Sequence, residues 1–338
     1  MPVRLLTGFD DLPDAAWAEL LERSPTRVVF LTRGWLEAWW QTLGQGTLLL
    51  ALAERDGRHV ALAPLYARGD TVSFLGTDSS DYLDFLGDIS EPAVLDGLLA
   101  AAREAGAASA FRLAVVPERS PTTAHLAAAA ARLGLGLRSD EPVPAPALHR
   151  AGLVDAARKK SLIRHENWFR RNGELSVVHT GHGHTILPEL DQFFAQHVER
   201  CTAAPYPSLF EDERHRAFYR RLTEQNAETR WLRFTRVDWD GAPIAYHFGM
   251  SFRGSFLWYK PSFELSLARR SPGEVLLRQL LIAAHDQGAQ TFDFGIGDEG
   301  FKHRFATSFP RTRTWTLAPR FAGRPLRAPG RRRRGPPL

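Results

Sequence analysis

Two Asp-Gly pairs, Asp56-Gly57 and Asp240-Gly241, each stand between two apolar runs, and this repeated signature limits what the chain can fold into more than any other feature. Asp-Gly between alternating hydrophobic segments is the strongest short-range signal for a tight β-hairpin, because both central positions favour residues that tolerate positive φ. The first hairpin is expected from strands at 47–54 and 59–67, the second from strands at 230–238 and 242–252. The same order follows in each case: a short strand (71–76, then 255–260), a loop, a helix (92–104, then 272–287) and a buried strand (110–116, then 290–295). The two turns are 184 residues apart, a spacing that fits a duplicated domain and far exceeds the roughly 20–50-residue period of a solenoid.

The chain has 338 residues, 44% of them hydrophobic, enough for two cores of ordinary domain size. The expected fold class is α+β, each half a mixed and mostly antiparallel sheet flanked by helices. Pro142, Pro144 and Pro146 mark a linker, giving an N-terminal half over 1–148, a C-terminal half over 149–322 and a basic tail over 323–338 expected to be disordered. Residues 152–172 read as one amphipathic basic helix stopped by Gly173.

Charge says little about the folded body. The net charge of +5 includes six arginines in the last sixteen residues, and without those six the remainder stands at −1. The single cysteine, Cys201, excludes an intramolecular disulfide and fits a reducing, cytoplasmic compartment. The N-terminus meets acidic residues too early for a secretion signal, and no apolar run reaches the roughly 20 residues that a membrane span needs.

The clearest chemical segment is Arg269-Arg270-Ser271-Pro272-Gly273-Glu274. Serine before Pro at the first helical position, with Glu at the third, spells a capping box, and Leu277, Leu280, Leu281 and Ala284 continue at helical spacing. A helix start offers free N–H groups and a positive dipole end, so with two arginines upstream it suits a pyrophosphate; it equally suits an ordinary buried helix.

Tyr259, Phe263, Ser271-Pro272-Gly273, Leu276, Asp293-Phe294-Gly295, Gly297-Asp298-Glu299 and Lys302-His303-Arg304-Phe305 together resemble the BioF2-like or CelD-type acetyltransferase family, a GNAT branch related to the FemAB peptidoglycan-bridge enzymes. The resemblance spans residues 155–310, with a weaker echo over 30–90. It departs at Phe301, where the family has tyrosine, and in lacking the glycine-rich pyrophosphate loop of standard GNAT enzymes. The resemblance implies tandem GNAT-like domains and direct attack of an amine, or a sugar hydroxyl, on an acyl-CoA such as acetyl-CoA, with the acceptor between the halves and no metal.

On that reading Asp298, Glu299, Lys302 and Tyr259 are the catalytic candidates. Arg269, Arg270, Ser271, Gly273 and Lys302 are the donor-binding candidates, and Asp81, Asp84, His247 and Asp293 the acceptor contacts. Each has a plain alternative: paired loop carboxylates for Asp298 and Glu299, satisfied core residues for Tyr259 and His247, and a solvated acidic loop for Asp81 and Asp84. His179, His182 and His184 lie in a glycine-broken loop with no thiol or carboxylate nearby, and metal binding is not expected there. Two rival readings stand beside the acyl-CoA enzyme. One is an aminoacyl-tRNA-dependent transferase using the basic helix (Lys159, Lys160, Arg164, Arg170, Arg171) and the tail. The other is a non-catalytic module in polysaccharide or envelope assembly.

Overall fold

The computed structural model describes residues 1–202 and 207–319; the basic tail expected over 323–338 lies outside them. The described residues form two compact units, each built on its own mixed sheet. No described helix is long and apolar enough to cross a membrane.

In the first unit, the hairpin strands Thr47–Arg55 and Arg58–Arg68 meet at a turn in which Asp56 and Gly57 take φ of 51° and 72°. The strand Thr71–Phe74 continues the antiparallel order, the helix Pro92–Ala105 crosses over, and the strand Ala110–Pro117 returns parallel to Thr71–Phe74. The next strand in this sheet is Arg311–Pro319, from the far end of the chain, inserted between Ala110–Pro117 and Leu135–Ser139. This differs from the expected contiguous halves: the N-terminal unit runs to Val143 and regains the chain at Arg311.

The second unit repeats the plan. Strands Leu175–Thr180, Leu232–Trp239, Ala242–Phe252 and Ser255–Phe263 lie side by side and antiparallel; the helix Pro272–Asp286 crosses over, and Thr291–Asp293 returns parallel to Ser255–Phe263. Here the strand beyond is Ala147–His149, which precedes the rest of the sheet in sequence. In each sheet, therefore, the strand that returns after the crossover helix is flanked on its far side by one from the opposite end of the unit's sequence.

Side chains alternate across a strand, and this alternation sorts the helices of the second unit onto two faces. Ala245, Phe256, Trp258 and Phe292 form one apolar cluster with Val275, Leu276, Leu280 and Leu281 of the helix Pro272–Asp286. Tyr246 and Phe248, pointing the other way, meet Phe193 of the helix Leu190–Thr202, with ring centroids 6.1 and 6.2 Å apart. Tyr219, on the helix Glu213–Thr229, packs 4.9 Å from Phe248 on that second face.

The segment expected as one helix over 152–172 is two, Leu153–Ala157 and Lys160–Asn172. Its exposed basic side chains ride over a buried face carrying Leu162, Phe169 and, unexpectedly, Glu166. Glu166 is 5% exposed and accepts from Arg278 at 2.5 Å and Gln279 at 2.8 Å, which ties this helix to Pro272–Asp286. The stop at Gly173 has a different cause from a left-handed cap. Its φ of 171° is ordinary extended backbone, but a Cβ would come within 2.5 Å of the Asp240 carboxylate and the Trp239 indole nitrogen.

Candidate functional site

The strand Ser255–Phe263 is nine residues long, yet only Ser255, Phe256 and Leu257 pair with Thr291, Phe292 and Asp293. Beyond Leu257 and Asp293 the two parallel strands part. The departing arm carries Trp258, Tyr259 and Lys260; the other runs through Phe294, Gly295 and Ile296 into the short helix Gly300–His303. Parallel strands that separate at their carboxyl ends make the crevice where α/β proteins place ligands.

Lys302 reaches back across the second arm. It is 4% exposed, and its Nζ lies 3.0 Å from the Ile296 carbonyl, 3.3 Å from that of Gly295 and 2.8 Å from a Glu299 carboxylate oxygen. Two carbonyls accept from the ammonium and Glu299 balances its charge, so Lys302 is held as a strut across the loop and is not left free to grip a phosphate. Glu299 is correspondingly an ion-paired carboxylate. Gly297, at φ of +136°, makes room for it: a Cβ there would lie 2.3 Å from Glu299 Oε2. Asp298 points to solvent and sits 2.7 Å from His303 Nε2. Asp293 accepts from the Gly295 amide at 2.8 Å, a local turn that ends the strand.

Ser271 corrects the expected capping box. It takes a left-handed conformation, φ 57° and ψ 56°, and its side chain caps nothing; its carbonyl accepts from the Glu274 amide instead. The Glu274 carboxylate turns to Arg304 at 2.9 Å, with His165 3.6 Å away. The short 3-10 helix Leu265–Arg270 explains this, because it delivers the chain to Ser271 from a direction that needs an αL turn before Pro272 can start the helix. Pro272 has no N–H, and Glu274 and Val275 already donate to Ser271. Among the described residues, the Gly273 amide is the donor that the first turn leaves open. Arg269 is exposed beside it, while Arg270 stacks its guanidinium 4.3 Å over the Trp168 ring.

His247 and Tyr259 are both buried and stand on opposite faces of the sheet. The register slips between Phe248 and Met250, so that the Tyr259 amide donates to His247 Nε2 at 3.2 Å. His247 lies between Phe256 and Trp258, and burial pushes its pKa down to about 3, so it is neutral throughout the physiological range. Tyr259 is hydrogen-bonded to Tyr219, and burial raises both phenols well above their ordinary value. Neither phenol ionises near neutrality.

Sequence reasoning passed over Lys260, His197, Cys201 and Arg200, which gather on the Tyr259 face. Burial lowers the Lys260 ammonium to about 8, with the nearby Lys302 charge acting in the same direction. Its Nζ stands 4.2 Å over the Tyr259 ring. His197 Nδ1 is 2.8 Å from the Ser208 hydroxyl and 3.6 Å from Cys201 Sγ, and burial holds it well below the usual histidine range. A lysine in the apolar strand SFLWYKPSF was the available signal.

In the first unit, Asp81 and Asp84 do not form an exposed acidic loop. Asp84 is fully buried, accepting from Thr26 at 2.7 Å, Thr122 at 2.6 Å and the Phe85 amide at 2.9 Å. Burial raises its pKa against these bonds. Asp81 is 5% exposed. Asp84 is thus a structural hub of the first unit and does not present itself to a ligand.

A cavity in the second unit, lined by His179, Thr235, Phe256 and Gln287 among others, holds none of the expected site residues. It lies beyond the C-terminal end of the helix Pro272–Asp286. Among the described residues, no group of three or more His, Cys, Asp or Glu is arranged to hold a metal ion.

Residues 156–303 match the family described as acetyltransferase (GNAT) domain. No curated protein matches the sequence. Among solved structures, the chain is similar to FemX, at 10% identity and a TM-score of 0.65 over 93% of this chain and 97% of that one. It is similar to a conserved protein of unknown function from Bacteroides thetaiotaomicron, at 16% identity and a TM-score of 0.64 over 94% and 100%. It is also similar to a tandem GNAT protein from the clavulanic acid biosynthesis pathway, at 18% identity and a TM-score of 0.51 over 93% and 97%. The fold is the expected mixed α/β arrangement of tandem GNAT type, and the match over residues 156–303 supports an N-acyltransferase.

Proposed function

We propose that the second unit transfers an acyl group from an acyl-CoA to an amine, by direct attack at the opening between Ser255–Phe263 and Thr291–Asp293. One observation carries this reading: two parallel strands pair for three residues and then part, directly before a helix start with an open amide. In the proposed arrangement, the donor's diphosphate takes the Gly273 N–H, the dipole of the fifteen-residue helix Pro272–Asp286 and Arg269. Its thioester enters the opening, where unpaired backbone of the longer strand supplies donors to the oxyanion. The amine nitrogen bonds to the carbonyl carbon, the C–S bond breaks and the thiolate leaves; holding the two reactants in line supplies much of the rate.

The geometry narrows the candidates for proton transfer. Glu299 and Lys302 are bound to each other, and Tyr259 is held protonated by burial, so none is poised as a base. In this reading the exposed carboxylate of Asp298, beside His303, takes the amine's proton. The test is calorimetric titration of the full chain with acetyl-CoA and longer acyl-CoAs. Micromolar binding that is weakened by Arg269→Ala supports the reading, and absence of binding by every acyl-CoA rejects it.

Transfer from a charged tRNA is the second reading. Arg158, Lys159, Lys160, Arg164 and Arg171 are all exposed on or beside the helix Lys160–Asn172, a basic face suited to a polyanion. Aminoacyl transfer from charged tRNA that falls when these charges are neutralised would favour it over acyl-CoA.

A further inference from the structure

The cavity beyond the C-terminal end of the helix Pro272–Asp286 measures about 140 Å³, room for a group of a few heavy atoms, and polar side chains dominate its walls. Arg233 and Thr235 alternate with Phe234 along the strand Leu232–Trp239 and so share a face, and the neighbouring strand sets His179 directly opposite Thr235. His179 Nδ1 lies 2.8 Å from the Thr235 hydroxyl. Burial lowers the pKa of that ring, which is neutral at the cavity wall. Gln287, at the helix end, accepts from Arg233 Nε at 2.9 Å. The guanidinium therefore spans from the strand to the helix end, between two residues that both line the cavity.

The other N–H groups of Arg233 sort by partner. Nη1 donates to the Leu232 carbonyl at 2.7 Å and the Arg230 carbonyl at 3.2 Å. Among the described residues, Nη2 has no acceptor and the guanidinium has no carboxylate within ion-pairing distance. Arg233 is half-buried, and burial lowers its pKa with no nearby acid acting against it. The negative end of the helix does not absorb this charge. The carbonyls of Ala283 and Ala284 accept from the Gln287 and Ala289 amides, and that of His285 accepts from the Gly288 amide and from a second arginine, Arg150. Gly181 leaves the cation uncovered on one side: a Cβ there would already sit 3.5 Å from Nη1. Cations withdrawn from water are ordinarily paired, and a guanidinium edge with free N–H groups matches an oxyanion.

We propose that this cavity binds a small oxyanion, a carboxylate or phosphate group, against the Arg233 guanidinium. Two further donors line it. The Thr180 hydroxyl accepts from the His182 amide and keeps its own proton to give, and the Gln287 side chain, its oxygen turned to Arg233, keeps its amide N–H groups. The helix Pro272–Asp286 has fifteen residues, about 22 Å at 1.5 Å each, and the Gly273 amide is at its other end. The ligand is therefore separate from the proposed acyl donor, and the inference does not depend on the acyltransferase reading.

The test is calorimetric titration of the full chain with sodium acetate, sodium phosphate or sodium chloride at matched ionic strength, repeated with Arg233→Gln and Gln287→Met. Acetyl-CoA binding is measured alongside. Wild type is expected to bind acetate or phosphate at one saturable site and chloride not at all. Affinity should fall by about tenfold or more in Arg233→Gln, and by a smaller factor in Gln287→Met, whose exposed position leaves the fold intact. Binding of acetate alone assigns a carboxylate, of phosphate alone a phosphate, and of both the chemistry they share. Absence of saturable binding, or unchanged affinity in Arg233→Gln, overturns the site. Chloride binding as well as the oxyanions also overturns it, because that is charge screening. If Arg233→Gln does not fold, Gln287→Met decides by the same comparison, and wild-type affinity there overturns the site. Acetyl-CoA and phosphate affinities that fall together in Arg233→Gln overturn it too, since the anion would then belong to the donor.

Discussion

The Lys302 ammonium lies 2.8 Å from the Glu299 carboxylate, and with two backbone carbonyls this pair closes the loop that follows the strand Thr291–Asp293. Removing one member of a buried pair leaves the other uncompensated. Lys302→Met is expected to lower stability by about 3 kcal/mol in urea unfolding, and Glu299→Gln by somewhat less, as Glu299 is more exposed. If Lys302→Met unfolds at the wild-type midpoint while activity falls a hundredfold, Lys302 is a catalytic group and not a strut.

Ser271 separates a capping serine from a strained one. Loss of a working N-cap costs about 1 kcal/mol, whereas glycine at a left-handed position relieves strain of about the same size. Ser271→Ala should therefore change stability by less than about 0.5 kcal/mol, and Ser271→Gly should raise it by about 0.5–1 kcal/mol. A loss on going to alanine that threonine restores would show that the hydroxyl caps after all.

The buried Glu166 contact with Arg278 makes a similar wager on paired charge. Arg278→Met alone is expected to destabilise by about 3 kcal/mol, and Glu166→Leu combined with Arg278→Met to recover most of that loss. Additive effects in this double-mutant cycle would mean that the two side chains do not depend on each other.

Acid should weaken the second unit through its neutral histidines. His247 has a folded pKa of about 3 against an ordinary 6.5, so between those values the unfolded chain holds a proton that the folded one lacks. Stability contributed by the neutral ring is present above pH 6.5 and is lost as pH falls toward 3, at up to about 1.4 kcal/mol per pH unit. His197 acts in the same direction, and the raised pKa of Asp84 in the first unit acts oppositely. His247→Phe should flatten the dependence of unfolding free energy on pH across that window. An unchanged slope would place the proton uptake elsewhere.

Asp84 offers a check in the first unit. Asp84→Ala strands the Thr26 and Thr122 hydroxyls and the Phe85 amide and is expected to cost about 3 kcal/mol, with the Michaelis constant for any acceptor unchanged. A raised Michaelis constant at wild-type stability would restore the acceptor-contact role.

Local sequence carried the architecture because hairpin turns and helix periodicity are local. Asp56-Gly57 and Asp240-Gly241 lie at the centres of the two hairpins, and the helix expected over 272–287 spans Pro272–Asp286. The site was less legible because its chemistry depends on partners far away in sequence. Asp84 reads as an exposed acid until Thr26 and Thr122, 58 and 38 residues distant, supply its donors. Ser271 reads as a cap until the preceding 3-10 helix fixes the direction of approach. Lys302 reads as a free cation, since no pattern announces the carbonyls of Gly295 and Ile296 as its acceptors. Lys260 was hidden for the opposite reason: it interrupts an apolar strand, where a single charge is easily taken for a side chain reaching to water.

The strand Arg311–Pro319 lies between two strands from the first 139 residues of the chain, with Thr312 opposite Pro117 on one side and Leu317 opposite Leu137 on the other. A ribosome therefore releases most of the N-terminal sheet long before the strand that completes it. Until residue 319 emerges, Ala110–Pro117 and Leu135–Ser139 have open edges of the kind that pair with other chains. Synthesis of the second unit must finish first, and at roughly 5–20 residues per second the wait is on the order of ten seconds or more. Aggregation during expression, and dependence on chaperones in that interval, should track this late strand more closely than any property of the finished fold.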